Sequence, residues 1–303
     1  MSERKMVTDS LSNLLISWLR HGRPAYLCMA REVTFDYGTP AHRRVDYMTF
    51  EPRNASPGGI ENGDVTCYEI KSSKEDFESA NGHNLFGDFN YYVMTENTYE
   101  QVGSRIAHKC GVICSCSGGL RMIRKASRVD RKKPLTEVLL MMFRSANRDA
   151  IKIYKTKAES PSLPSLLWKH LNPKNDPRIY ISRGVLRVEG NGAAVLIRVV
   201  PLNNSVSGIE KSTVYCYFII SRLSEIECIA GVEPLGDYNY YVAGTEVHSI
   251  INEKGDERFG IICPWDTGLK NKRKAKRMER KTALCTILFK MFFLASADAY
   301  MQV

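Results

Sequence analysis

The segment GDFNYYV at Gly87–Val93 occurs a second time as GDYNYYV at Gly236–Val242, an offset of 149 residues from position 87 to position 236. Chance similarity would not hold one offset from residue 67 to residue 150 without a gap, so the chain is a tandem repeat. The other segments that match at this offset are Cys67–Tyr68 with Cys216–Tyr217, Gly111–Cys114 with Gly260–Cys263, and Asp149–Ala150 with Asp298–Ala299.

The repeat predicts two domains of similar size. A chain of 303 residues is long enough for two ordinary domains. We expect the first domain at residues 1–155 and the second at residues 161–303. Residues 158–164, with the sequence AESPSLP, have the composition of a linker between them.

Hydrophobic periodicity predicts helices and strands within each unit. Residues 10–20 and 134–150 have the spacing of helices, the second with Pro134 near its first turn. Residues 44–50 and 65–71 favour strands, and the Pro-, Asn- and Gly-rich residues between them predict a hairpin. A short helix at 73–81 and short strands at 91–94 and 111–114 complete the unit. The expected fold class is α/β, with a mixed central sheet flanked by helices in each domain.

Composition excludes several classes of protein. A content of 44% hydrophobic and 25% charged residues is typical of a globular chain rather than a disordered one. The longest apolar run, Leu284–Ala299, is interrupted by Lys290 and Asp298, so no membrane span is expected. The N-terminal residues lack the apolar core of a secretory signal, which favours the cytoplasm. The nine cysteines form no paired C-x2-C spacing, which favours reduced, mostly buried thiols over a zinc site.

The net charge of +10 indicates an anionic partner, and nucleic acid is the commonest large one. Lys270–Lys281 holds eight basic residues in twelve positions, although a solvated surface is the plainer interpretation of such a run. Several of these residues have basic counterparts in the first copy, which indicates that both copies contact the same polyanion. The candidate nucleic-acid-binding residues are Arg121, Arg124, Lys125 and Arg128 in the first copy, and Lys270, Lys272, Arg273, Lys274, Lys276 and Arg277 in the second.

Two carboxylates and an ammonium group form the constellation that carries chemistry. Glu69 and Lys71 project from the same face of one predicted strand, because side chains alternate along a strand. Asp46 lies on the neighbouring strand of the hairpin, where it can approach Glu69. Mg²⁺ prefers such oxygen ligands, and an adjacent lysine can orient a nucleophile or stabilise developing charge. The plainer alternative is an ion pair on a solvated strand face.

The second copy helps to decide between these two interpretations. At the positions of Asp46, Glu69 and Lys71 it has the apolar residues Val195, Phe218 and Ile220. A solvated face does not call for such replacements, whereas an enclosed one does. We therefore expect the three charged groups of the first copy to lie in a partly enclosed place, where charges are costly unless they serve each other or a metal.

The motifs around these residues resemble the PD-(D/E)XK nuclease superfamily, and within it the MmcB-related DNA-repair group. The similarity rests on RRVD at Arg43–Asp46 and on EIKSSxxDF at Glu69–Phe77, and it covers most of residues 10–125. Val45 stands where the superfamily's first motif commonly has a proline. Both units then resemble restriction-endonuclease-like domains, the second one degenerate.

The resemblance implies a set of site residues. Asp46 and Glu69 would bind Mg²⁺ or Mn²⁺ beside Lys71, and many members add a further glutamate, for which Glu32 is the local candidate; Asp64 is a second candidate ligand. Arg43 and Arg44, with His42, would contact phosphate. Ser72, Ser73 and Asp76 suit the start of the next helix, and Tyr91 and Tyr92, repeated as Tyr240 and Tyr241, suit core packing better than base stacking.

The function expected from these features is that of a metal-dependent DNA endonuclease. The first copy would cut, while the second would aid nucleic-acid binding or pack against the first as an intrachain pseudo-dimer; a homodimer is also possible. One catalytic centre predicts nicking unless two chains associate. The rival hypothesis is a non-catalytic nucleic-acid-binding or protein-interaction module on a nuclease-like scaffold, including an assembly scaffold of a phage or mobile element.

Overall fold

The chain forms two compact units, Met1–Ala146 and Asn147–Gln302. The computed structural model describes residues 3–21, 24, 26–79, 82–154, 162–174, 179–182, 186–187, 194–221, 225, 234–266 and 268–301. Each unit contains a mixed β-sheet with helices packed against it, which confirms the expected fold class of two tandem α/β domains. Among the described residues, no helix combines the length and apolar character that a membrane span requires.

The boundary between the units falls inside a helix. That helix, α5 (Leu135–Tyr154), contributes its first twelve residues to the N-terminal unit and the rest to the C-terminal unit. The predicted boundary at residues 155–160 is further along the chain and lies outside the described residues.

The N-terminal unit is built on a six-stranded sheet in the order β1-β2-β3-β4-β5-β6. Its first three strands are antiparallel neighbours, β3, β4 and β5 run parallel, and β6 is antiparallel to β5. The elements are α1 (Glu3–Arg20), β1 (Cys28–Phe35), β2 (Arg43–Glu51), α2 (Pro57–Glu61), β3 (Asp64–Lys71), α3 (Lys74–Glu78), β4 (Phe89–Thr95), α4 (Glu96–Val102), a 3₁₀ turn (Gly103–Arg105), β5 (Gly111–Cys116), β6 (Gly119–Arg124) and α5.

The predicted hairpin and helices of this unit are confirmed, with somewhat different ends. Helix α1 buries Leu11, Leu15 and Leu19, which recur every four residues and so form one apolar stripe against the sheet. Helix α3 begins after Ser73, whose hydroxyl accepts a hydrogen bond from the Asp76 N–H at 3.2 Å, as expected for an N-cap. Strands β1 and β6 and helix α4 were not predicted from the sequence.

The C-terminal unit repeats this architecture. In its described part, seven strands form a sheet in the order β13-β12-β11-β10-β9-β7, with β8 paired to β9. The elements are α6 (Leu163–Leu171), β7 (Tyr180–Ile181), β8 (Leu186–Arg187), β9 (Ala194–Val200), α7 (Val206–Glu210), β10 (Thr213–Ile220), β11 (Tyr238–Ala243), α8 (His248–Lys254), β12 (Gly260–Trp265), β13 (Gly268–Arg273), α9 (Leu284–Ser296) and a π-helical turn (Ala297–Met301).

The repeated GDxNYY motif is a structural device in both units. Asp88 accepts a hydrogen bond from the buried Val65 N–H at 2.9 Å, and the side chain of Asn90 both accepts from and donates to the backbone of Gly87. A Cβ on Gly87 would lie 2.7 Å from the Val65 carbonyl oxygen, so only glycine fits there. Asp237, Asn239 and Gly236 repeat this arrangement in full. The motif therefore fixes the turn that leads into β4 and β11.

The tyrosines that end the motif pack in the core, as predicted. Tyr91 stacks on Tyr68, and Tyr92 lies edge-on to Phe77 and His83. In the second unit Tyr240 stacks on Tyr217, while Tyr241 is buried. The cysteines also agree with expectation: the eight that are described are free thiols, seven of them buried, and Cys228 lies outside the described residues.

Candidate active site

The β2–β3 hairpin brings the three predicted site residues together. Tyr47 pairs with Tyr68, and the next step of this antiparallel register places Asp46 opposite Glu69. Asp46 Oδ2 accepts a hydrogen bond from the Ile70 N–H at 2.9 Å, which ties its carboxylate to β3 where the regular ladder ends. Lys71 follows Glu69 on the same face of β3. The predicted convergence is therefore present in the N-terminal unit.

Glu69 is buried and its carboxylate is poorly hydrogen-bonded. The residue has no solvent exposure, and neither carboxylate oxygen makes a hydrogen bond of standard geometry, although the Asp46 carboxyl and the Asn84 backbone N–H lie close enough to affect its pKa. Burial raises the pKa of Glu69 to about 9, and the nearby Asp46 carboxylate adds to the shift, whereas Lys71 opposes it. A buried carboxylate with both oxygens unsatisfied is costly, so it calls for either a proton or a cation.

Asp46 experiences a weaker version of the same environment. Burial raises its pKa, and the hydrogen bond from Ile70 and the charges of Arg44 and Lys71 partly offset the effect. Unlike Glu69, Asp46 is half-buried and faces an open cleft. Asp46 therefore lines the cleft, whereas Glu69 is fully buried and does not line it.

Lys71 is held by the start of the following helix. Its ammonium group donates to the Asp76 carbonyl oxygen at 3.1 Å, and its side chain is 1% exposed. Burial lowers the pKa of Lys71, while the carboxylates of Asp76, Glu69 and Asp46 counteract this shift. Asp76 itself accepts hydrogen bonds from the Ser72 N–H and hydroxyl, so the EIKSSxxDF motif positions the lysine through a cap.

A cleft of about 660 Å³ opens above these groups. Gly82 forms part of its wall, with a backbone φ of +69°. A Cβ on Gly82 would lie 2.9 Å from Lys71 Nζ and 3.3 Å from Glu69 Oε2. Glycine therefore leaves the space next to the lysine and the buried glutamate open. The residues lining the cleft are Arg4, Thr8, His42, Arg43, Arg44, Asp46, Ile70, Lys71, Asp76, Gly82 and Asn84.

The rim of the cleft is basic. Arg43 and Arg44 are exposed at the start of β2, and His42 precedes them, in agreement with their predicted place beside the site. Arg4 of α1 forms an ion pair with Asp76 at 2.5 Å. Sequence reasoning missed Arg4, Thr8, Gly82 and Asn84, because none of them belongs to a recognised motif. Arg4 and Thr8 lie in the distant helix α1, whereas Gly82 and Asn84 lie between the two motifs. An anionic ligand is the kind of molecule that this rim would attract.

Two of the candidate ligands lie elsewhere. Glu32 is the cross-strand neighbour of Asp46, but its side chain is half-exposed and faces Arg44 at 3.7 Å, so it does not line the cleft. Its backbone has a φ of 49°, and its carbonyl oxygen, like that of Arg31, accepts a hydrogen bond from the Ser145 hydroxyl. Asp64 is at the opposite end of β3 and pairs with Arg128 at 2.8 Å.

Two of the predicted nucleic-acid-binding arginines form hydrogen bonds with backbone carbonyl oxygens of their own unit. The guanidinium of Arg124 donates to the carbonyl oxygens of Cys110, Ile106 and Ala107. Arg273 repeats this arrangement with Phe259 and Asp256. The repeated arginine therefore has a structural role in both units, where Nε and one terminal nitrogen of its guanidinium satisfy loop carbonyls.

The other predicted basic residues are exposed. Arg121 forms an ion pair with Glu96 at 2.7 Å and Arg128 pairs with Asp64, so both are partly neutralised. In the second unit Lys276 lies 3.5 Å from Glu257. The exposed residues of this set are Arg121, Lys125, Arg128, Lys270, Lys272, Lys274, Lys276 and Arg277.

In the second unit the equivalent place is an apolar core. Val195 and Phe218 are fully buried and Ile220 is 1% exposed, as the comparison of the copies predicted. The ring of Phe218 packs 5.5 Å from that of Phe259, which itself stacks on Tyr241 at 4.8 Å. Aromatic side chains occupy the place of the charged groups, and the described residues of this cluster include no carboxylate.

The donor atoms of the N-terminal site suit a hard divalent cation. Asp46 and Glu69 offer carboxylate oxygens, and the unsatisfied oxygens of Glu69 are the kind of orphaned acceptor that a cation would complete. Within the described residues, no third histidine, cysteine, aspartate or glutamate joins them. Mg²⁺ commonly binds through one or two carboxylates and keeps several waters, so a pair is a sufficient protein contribution.

Comparisons with known proteins leave the function open. No family model and no curated protein matches the chain. Among solved structures, the chain is similar to a protein of unknown function from Silicibacter pomeroyi, with 17% sequence identity and a TM-score of 0.35. The match covers 48% of this chain and 88% of that one. A likeness this weak carries no argument about activity.

Proposed function

We propose that the N-terminal unit hydrolyses phosphodiester bonds of DNA with a divalent cation, Mg²⁺ or Mn²⁺, bound by Asp46 and Glu69. The observation that carries the proposal is the buried, poorly hydrogen-bonded carboxylate of Glu69, enclosed with Asp46 and Lys71 beside a cleft with a basic rim. The C-terminal copy supports it, because all three groups are replaced there by buried apolar residues. This unit is a restriction-endonuclease-like domain of the PD-(D/E)XK type in our proposal.

Each residue of the site has a role in this reaction. Asp46 and Glu69 would hold the cation, which would supply Lewis-acid stabilisation of the phosphate and lower the pKa of an attacking water. The Ile70 N–H fixes the orientation of Asp46. Lys71, anchored on the Asp76 carbonyl, offers positive charge to the phosphate oxygens as negative charge develops. Arg43 and Arg44 hold the flanking phosphates at the rim of the cleft.

The C-terminal unit contributes nucleic-acid binding in this proposal. Its former site is a packed aromatic core, while its basic segment Lys270–Lys281 is largely exposed. A chain with one catalytic unit and one binding unit accounts for both features.

A cleavage assay tests the proposal. Labelled plasmid, single-stranded DNA and RNA are incubated with the full chain and Mg²⁺ or Mn²⁺, for the wild type and for Asp46→Asn, Glu69→Gln and Lys71→Met. Cleavage by the wild type and its loss in all three variants is the expected result. Glu51→Gln is the matched control, because Glu51 is an exposed carboxylate at the other end of β2. Cleavage that persists in Asp46→Asn and Lys71→Met would contradict the proposal that these residues form the nuclease site.

The second candidate function is that of a non-catalytic nucleic-acid-binding protein. It is favoured by the high pKa of Glu69, about 9, since a protonated glutamic acid would let the site persist without a cation at neutral pH. The same assay separates the two functions: binding without cleavage of any substrate, with either cation, favours the second.

A further inference from the structure

An exposed tryptophan lies at the tip of the β12–β13 hairpin in the C-terminal unit. Trp265 is 50% exposed, whereas Trp168 is buried and Trp18 is half-buried. A single exposed apolar side chain is ordinary on a protein surface, so its exposure alone indicates no function. What distinguishes Trp265 is the charge that surrounds it.

Two lysines surround this ring. The ammonium group of Lys272 lies 4.2 Å from the ring centroid and that of Lys270 lies 4.5 Å from it. Both lysines are exposed and project from the same face of β13, since they are two residues apart. The result is a half-exposed aromatic ring with two positive charges over it.

The basic surface continues past the hairpin. After β13 the chain leaves regular secondary structure, and Lys274 and Lys276 stay exposed while Arg273 and Ala275 turn inward. In extended backbone, alternate residues lie roughly 6.6 Å apart. This spacing suits a row of negative charges along one strand of a polyanion. Residues 265–281 contain eight basic residues against the two acids Asp266 and Glu279.

The first unit lacks this surface. At the offset of 149 residues, Cys116 stands for Trp265, Ile123 for Lys272 and Ser127 for Lys276. The unit without the buried carboxylates is thus the one that has the exposed ring and the additional lysines. A surface needed only for folding would be expected in both copies.

We propose that this hairpin is a binding surface for single-stranded nucleic acid, with a base stacked on Trp265 and adjacent phosphates bound by Lys270, Lys272 and Lys274. An exposed aromatic side chain next to a basic groove is the arrangement that binds single strands, because an unpaired base can place its face on the ring. In a duplex the bases are stacked on each other and their faces are not available. The inference depends on the proposed function in one respect: it takes a nucleic acid as the polyanion that binds this basic surface.

Binding in the absence of divalent cation tests this surface. Fluorescence anisotropy is measured in EDTA with labelled oligo(dT), oligo(U) and a DNA duplex of the same length, using the full chain carrying Asp46→Asn. The single strands should bind more tightly than the duplex. Trp265→Ala should weaken single-strand binding roughly tenfold or more, with a smaller loss in Trp265→Phe. Quenching of tryptophan fluorescence on binding should be reduced in Trp265→Phe.

The lysines have a separate signature. Log affinity falls as log salt concentration rises. Replacing Lys270 and Lys272 by alanine should make this fall less steep, by about 0.7 in slope for each phosphate that the variant no longer neutralises. Lys211→Ala with Lys254→Ala is the charge-matched control, because both lysines are exposed elsewhere in the same unit. Equal effects of the two double variants would leave only a general charge effect and overturn the proposal.

Two further results would also overturn it: unchanged affinity in Trp265→Ala, or displacement of oligo(dT) by phosphatidylserine–phosphatidylcholine vesicles, which would identify a membrane surface instead. Because these measurements contain EDTA and the Asp46 variant, they are independent of cleavage. A protein that never cuts DNA but loses affinity in Trp265→Ala would disprove the nuclease and retain this surface.

Discussion

At the scale of single residues, the carboxyl of Glu69 lies in surroundings that disfavour its charged form. Its pKa is raised to about 9 by burial and by Asp46, so the folded protein without metal holds a proton that the unfolded chain releases near pH 4.5. The folded state therefore binds more protons than the unfolded state between these values. Stability of the metal-free protein should fall as the pH rises through this window.

Glu69→Gln should remove this pH dependence. Glutamine keeps the size of the side chain without the ionisation, so the variant should be more stable than the wild type at pH 7 by about 3 kcal/mol. Urea unfolding in EDTA between pH 5 and pH 8.5 measures the effect. Glu51→Gln, at an exposed position, should follow the wild type. Parallel pH profiles for wild type and Glu69→Gln would show that the glutamate is not held in its protonated form.

Gly82 controls the space beside the ammonium of Lys71. Gly82→Ala should reduce cleavage, because the new Cβ would lie 2.9 Å from Lys71 Nζ and 3.3 Å from Glu69 Oε2. The positive φ of +69° adds a stability cost of roughly 1 kcal/mol. Kinetic and thermal measurements are compared with Gly118→Ala, where nothing lies within 4 Å of the added atom. Full activity in Gly82→Ala would indicate that the catalytic space lies elsewhere.

At the scale of elements, the GDxNYY turn links strand β3 to β4. Asp88→Ala should destabilise the protein by about 2–4 kcal/mol, since it leaves the buried Val65 N–H unsatisfied and removes the partner of Arg131, whose Nε lies 3.2 Å from Asp88 Oδ1. Denaturant unfolding gives the value, with the exposed Asp130→Ala as control. A loss no larger than that of the control would mean that the motif is repeated for another reason.

The hairpin β2–β3 was readable from sequence because two alternating apolar segments flank a turn-rich connection. Its register then follows from the burial of Tyr47 and Tyr68, and with it the meeting of Asp46 and Glu69. The residues that line the rim of the cleft could not be predicted from the sequence. Arg4 comes from α1 and Gly82 from the loop after α3, and only the tertiary fold brings them to the end of β3.

Basic residues that look alike in the sequence have different roles in the structure. Arg124 and Arg273 look like members of a phosphate-binding set in the sequence, yet their donors are used by loop carbonyls in both units. Repetition in two copies marked them correctly as important, but composition could not distinguish a structural guanidinium from a free one. Glu32 differs for another reason: its carboxylate faces Arg44 at 3.7 Å and does not line the cleft.

At the scale of the whole molecule, one chain carries one complete set of site residues. Supercoiled plasmid should therefore accumulate as the nicked circle before any linear product appears, since each binding event cuts one strand. Gel analysis of a time course at limiting protein measures the order of products. Ile220→Val, in the apolar core of the second unit, should leave the pattern unchanged. Linear product formed at once would indicate two chains acting together.

The central claim is that Asp46 and Glu69 hold a divalent cation, and cation-dependent stability tests it most directly. At a Mn²⁺ concentration about 100 times the dissociation constant, the wild type should gain about 2.7 kcal/mol of unfolding free energy. Asp46→Asn should gain nothing, although its side-chain oxygen can still accept the hydrogen bond from Ile70. Equal stabilisation of both proteins, or of neither, would contradict the claim.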